Sequence, residues 1–120
     1  MQYMLLIYNT PDSWSSMPPE QQKELFEAYG TFSMELEASG KMVAGDALQD
    51  TSTATSVRVR DGETLTTDGP FAETKEVLGG YYLIDVETLD EALEWATKLP
   101  GSSYGTVEVR PVVTDYEMAS

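Results

Sequence analysis

Hydrophobic and polar positions divide the chain into strands and helices with little ambiguity. Residues 2 to 8 are an unbroken run with Tyr3, Leu5 and Ile7 on one face of an extended strand and Met4, Leu6 and Tyr8 on the other. A polar loop containing Pro11 and Trp14 follows over residues 9 to 17. From Glu20 to Ser39 the period becomes helical: Leu25, Tyr29, Phe32 and Leu36 form a stripe, and Glu20, Glu24, Glu27 and Glu35 lie mainly off it. Pro18-Pro19 suits a first helical turn, where a missing N–H costs nothing, and Gly40 caps the far end. Gly30, inside the pattern, costs roughly 1 kcal/mol relative to alanine. It reads equally as a close packing contact or as a neutral defect.

The second half repeats the alternation. Met42-Val43-Ala44 opens a short strand, and Thr55 to Arg60 is another. Asp61-Gly62 is the dipeptide of a type I′ hairpin, and Glu63 to Thr67 returns, setting Arg60 against Glu63, Val59 against Thr64 and Arg58 against Leu65. This hairpin is not cleanly amphipathic, which predicts a partly exposed position at a sheet edge. Leu78 to Val86 is a strand, apolar on both faces. Thr88 with Glu91 forms a capping box, and Leu89, Ala92, Leu93, Ala96 and Leu99 make the stripe of a second helix that Pro100-Gly101 stops. Thr106 to Val113 closes the series. The order is β-α-β, a hairpin, then β-α-β, which predicts one domain over residues 1–120 with a ferredoxin-like α+β sandwich. Helices cover one face of such a sheet. The two strands that are apolar on both faces leave the other face in need of a cover, and a second copy packed sheet to sheet is the simplest.

Composition narrows the chemistry. The 120 residues contain no cysteine and no histidine, which removes disulfides, thiolate catalysis, the usual neutral-pH base and the commonest metal ligands. A formal charge of −14 disfavours binding to nucleic acid or to anionic membranes. The first apolar run is too short to span a bilayer and lacks the flanks of a signal peptide, so a cytoplasmic location is expected. Only oxygen ligands are available, without EF-hand spacing, so neither metal nor cofactor is expected.

Candidate chemistry concentrates in Asp68-Gly69-Pro70-Phe71-Ala72-Glu73-Thr74-Lys75-Glu76, directly before Gly79-Gly80-Tyr81-Tyr82. Asp68 reads as a general base or as the carboxylate of an Asx-turn. Asp46 is the second catalytic candidate, since two carboxylates in one cleft can raise one pKa. Gly69, Pro70, Phe71 and Glu73 are ligand-binding candidates, with Phe71 either a pocket wall or an anchor for the loop. Tyr8, Tyr29 and Tyr81 add hydroxyls near the sheet, and Gly79-Gly80 suits a bulge or a close approach. Three functions fit: a small-molecule binding or sensing module, a carboxylate–tyrosine acid–base enzyme acting on a small cyclic or aromatic substrate, and a protein–protein adaptor.

The Asp68–Tyr82 segment, with Ser52-Thr53-Ala54-Thr55, Val57-Arg58-Val59-Arg60-Asp61-Gly62, Leu89-Asp90-Glu91-Ala92-Leu93-Glu94-Trp95-Ala96 and Val107-Glu108-Val109-Arg110-Pro111, resembles the DGPF branch of the YCII-related (YciI-like) family. The resemblance implies a dimeric α+β barrel and a poorly defined function, with some members associated with extracytoplasmic-function sigma factors. In the broader group a His–Asp pair in a cleft suggests enzymatic activity. The corresponding histidine would fall near Tyr29, and without any histidine that dyad cannot be carried over.

Overall fold

The computed structural model of the chain describes residues 1–72 and 74–113. The described residues form six strands and two main helices in the order β1 (Gln2–Asn9), α1 (Pro19–Ala38), β2 (Met42–Ala47), β3 (Thr55–Arg60), β4 (Glu63–Asp68), β5 (Val77–Asp85), α2 (Leu89–Lys98) and β6 (Thr106–Pro111). Short 3-10 turns at Thr51–Thr53 and Pro100–Ser103 complete the chain. β2, β5, β1 and β6 form an antiparallel sheet in that order. This is the ferredoxin-like arrangement expected from the element order.

The core lies between one face of that sheet and the helices. Tyr3, Leu5 and Ile7 from β1 meet Tyr82 and Ile84 from β5, Phe32 and Leu36 from α1, and Ala92 and Ala96 from α2. The Phe32 ring packs edge-on against Tyr82 at 5.0 Å and against Trp95 at 5.9 Å. The opposite face carries Met4, Leu6, Tyr81 and Leu83, all half-buried in the single chain.

The caps follow the sequence. Thr88 Oγ1 accepts from the Glu91 N–H at 3.2 Å, but the box is only half made, because the Glu91 carboxylate pairs instead with Lys41. Gly40 stands at φ +76° after α1, a conformation that favours glycine. Of the second helix's expected stripe, Ala92, Ala96 and Leu99 are buried while Leu89 and Leu93 are exposed. α2 therefore touches the sheet along a narrower seam than its apolar pattern suggests.

The hairpin also departs from expectation. Asp61 (φ 54°) and Gly62 (φ 79°) make the turn, and Arg60–Glu63, Val59–Thr64 and Arg58–Leu65 pair as the sequence requires. Yet β3 and β4 form a two-stranded sheet of their own instead of extending the edge of the larger one. Almost every residue in it is exposed, including Val57, Val59 and Leu65. A hairpin apolar and polar on both faces has no single face to lay against the body.

Candidate binding cleft

Only the C-terminal half of α1 is seated on the sheet, through Phe32 and Leu36. There the Ser33 and Tyr82 hydroxyls meet at 2.7 Å. Toward its N-terminus the helix overhangs the sheet, and Leu25 and Tyr29 of its stripe are only half-buried. Beneath the overhang is a cleft of about 840 Å³. Its floor includes Ile7, Met42 and Tyr82, its roof Leu25 and Tyr29, and its lip Trp14 and Leu48 from two connecting loops.

The lip is stitched by short-range hydrogen bonds. Ser16 N–H donates to Asp12 O at 2.9 Å and Met17 N–H to Trp14 O at 3.2 Å. Gln22 Nε2 on α1 donates to Trp14 O at 2.7 Å, tying the loop to the helix. Asp50 links the loops: its carboxylate accepts from the Ser52 N–H at 3.1 Å and, more weakly, from the Asp12 N–H at 3.4 Å. Hydrogen bonding from Ser52, its side chain first and then its N–H, holds the exposed Asp50 carboxyl below its ordinary range.

On the wall of the cleft, Tyr29 Oη lies 3.3 Å from Tyr104 Oη. Burial first, and then the Tyr104 hydroxyl, push the Tyr29 phenol far above its ordinary value, so it stays protonated. Gly101 makes room for this pair: a Cβ there would stand 2.8 Å from Tyr29 Oη and 2.9 Å from Ile7 Cγ2.

Gly79-Gly80 serves both purposes that the sequence allowed. The β1–β5 register slips there, from Ile7–Gly80 to Tyr8–Leu78, leaving Gly79 bulged. Both glycines line the cleft, and a Cβ on Gly80 would approach Asp46 O to 3.0 Å.

Among the candidates from the sequence, Tyr29 lines the cleft and Asp46 borders it. The Asp46 carboxylate, however, accepts from Tyr81 Oη at 3.0 Å, and that bond raises the Tyr81 pKa. Tyr81 belongs to the sheet face opposite Tyr82, and strand alternation places Tyr8 on that face with Leu6. Asp68 ends β4 opposite Thr55, in the other sheet from Asp46. The Asx-turn is not made: residue 70 is proline and has no N–H for the Asp68 carboxylate. The turn rests instead on Gly69, at φ +94°, which is held by Ser56 Oγ donating to its carbonyl at 2.9 Å. Pro70 is exposed and Phe71 is 77 % exposed, so in the single chain Phe71 neither walls the cleft nor anchors the loop. Glu73 lies outside the described residues.

The sequence reading gave no role to Trp14, Phe26, Ser33 or Asp50. Trp14 left a signal, an indole in an otherwise polar loop, and Phe26 another, a large aromatic off the stripe of α1. Among the described residues, no three acidic side chains gather as a metal site requires, and no helix is long and apolar enough to cross a membrane.

Fold and cleft together define a small ferredoxin-like α+β protein with a largely apolar cavity between its sheet and first helix. The chain belongs to the YCII-related domain family, whose model matches residues 1–115. It is similar to an uncharacterised protein of Rhizobium meliloti (strain 1021), 39% identical over 114 residues that cover 93% of this chain and 92% of the relative.

Proposed function

We propose that this YCII-related protein is a dimeric small-molecule binding module whose ligand occupies the cleft under α1. The observation that carries the reading is the cavity itself. About 840 Å³ walled by Ile7, Leu25, Met42 and Tyr82, with a few hydroxyls and carboxylates, matches the size and lining of ligand sites generally. Two aromatics at the cleft, Phe26 and Trp14, are 73 % and 49 % exposed. Apolar surface left open at a cavity suits a ligand that covers it.

Binding is favoured over acid–base turnover by the direction of the shifts at the cleft. Tyr29 is driven away from the tyrosinate a base would need, and the Asp50 carboxyl is held low instead of being raised toward neutrality. The dimer rests on the uncovered sheet face of Met4, Leu6, Tyr81 and Leu83. The sigma-factor association implied by the sequence resemblance belongs to the same reading, as the regulatory setting of a sensor.

Gly30 supplies the test. It lines the cleft, and a Cβ there meets nothing within 4 Å. Gly30→Leu should therefore fill cleft space while improving the helix. A metabolite that raises the melting temperature of the wild type should fail to do so for Gly30→Leu. Equal stabilisation of both proteins would refute the assignment of the cleft. Rapid conversion of the bound compound would shift the reading to an enzyme. Sedimentation showing a monomer at micromolar concentration would remove the dimer.

A further inference from the structure

The cleft is as selective in charge as in shape. Among the described residues, no lysine or arginine lines it, whereas Asp12 and Asp50 do, both exposed. The chain has no histidine to supply a positive charge on protonation. An anion drawn in would lose hydration and find no counter-charge, a loss that apolar walls cannot repay. The net charge of −14 opposes its approach as well. A cation meets the reverse: carboxylates at the rim and the open aromatic faces of Trp14 and Phe26, groups that attract ammonium ions.

We propose that the cleft takes a hydrophobic organic cation, an aromatic or alicyclic amine in its ammonium form. This rests on the binding-module reading and names its ligand class. The ring system would occupy the apolar floor formed by Ile7, Met42 and Tyr82, with the ammonium left at the mouth beside Asp12 and Asp50. Placing the charge at the mouth keeps it partly hydrated and avoids the cost of burying it. The Tyr29–Tyr104 hydroxyl pair, which also lines the cleft, can meet a polar substituent on the ring.

Three probes with one ring system separate charge from shape: 1-naphthylmethylammonium, 1-naphthalenemethanol and 1-naphthoate, titrated by calorimetry into the full chain at low and high salt. The ammonium should bind roughly tenfold more tightly than the carboxylate, with the alcohol between them. High salt should narrow that gap. Asp12→Asn is the discriminating variant. Asp12 makes its hydrogen bonds through its main chain, and its φ of 62° is one that asparagine adopts readily. The substitution should weaken the ammonium roughly threefold and leave the alcohol unchanged.

Naphthoate binding as tightly as the ammonium would overturn the proposal and leave the cleft reading intact. An ammonium advantage that survives Asp12→Asn undiminished would also overturn it. Failure of all three probes to bind, or equal binding of them to Gly30→Leu, falls on the cleft reading and takes this inference with it.

Discussion

Gly30 is the residue at which stability and the cleft pull apart, and replacing it with alanine measures by how much. It is an interior residue of α1, which runs Pro19–Ala38. Glycine there costs ~0.8–1.0 kcal/mol relative to alanine, because more backbone freedom is lost on folding. Such a deficit is often repaid by a backbone contact that only glycine permits. None exists among the described residues: an added Cβ would have no neighbour within 4 Å. The full propensity gain should therefore appear, about 0.5–1 kcal/mol of added stability. For a domain of this size that is an upward shift of about 2–4 °C in melting temperature. The assay is urea unfolding followed by helical circular dichroism, at one fixed protein concentration so that self-association cannot masquerade as stability. The midpoint should rise with the slope unchanged. A neutral or destabilised Gly30→Ala would refute the reasoning, since it would mean that position 30 is packed or non-helical in solution. A gain would make the glycine a concession of stability to open volume under the helix.

Gly101→Ala should act in the opposite sense. Its Cβ would intrude on Tyr29 Oη and Ile7 Cγ2 at 2.8 and 2.9 Å, costing about 1–3 kcal/mol by the same denaturation assay; unchanged stability would show that the surroundings of Tyr29 yield freely. Tyr29 makes a prediction in pH. Its folded pKa is raised, so its contribution is fully present below the unfolded value of ~10 and is lost as pH rises above that. Wild type should lose stability relative to Tyr29→Phe as pH rises through this range, and parallel melting curves would contradict the assigned burial. Thr88→Ala removes the N-cap of α2 and should cost ~1 kcal/mol, which thermal unfolding would detect; no loss would mean that the Glu91–Lys41 pair holds the helix start without the cap.

What the sequence disclosed follows a physical division. Features set by neighbours along the chain were legible: the two-faced β1, the Asp61-Gly62 turn with its register, the Thr88 cap, the bulge at Gly79-Gly80 and the end of α1 at Gly40. The cleft was not, because a period of 3.6 tells which residues share a helix face but not how far that face stands from the sheet. Leu25, Tyr29, Phe32 and Leu36 form one stripe, yet only the last two are buried. The N-terminal half is tied instead to the 10–17 loop, through Gln22 Nε2 and Trp14 O, a contact that no periodicity encodes.

The Asp68 segment shows the same limit from the other side. Its local chemistry is dense, so it looked like a site, but it sits on a hairpin separate from the main sheet and leaves Phe71 in solvent. Phe71, Val57, Val59 and Leu65 are as exposed as the aromatics at the cleft, yet none of the four lines it. Open apolar surface on a strand pair calls for another surface. Open apolar surface at a cavity calls for a ligand. Sedimentation tests the proposed dimer and titration the proposed ligand, and either can fail without the other.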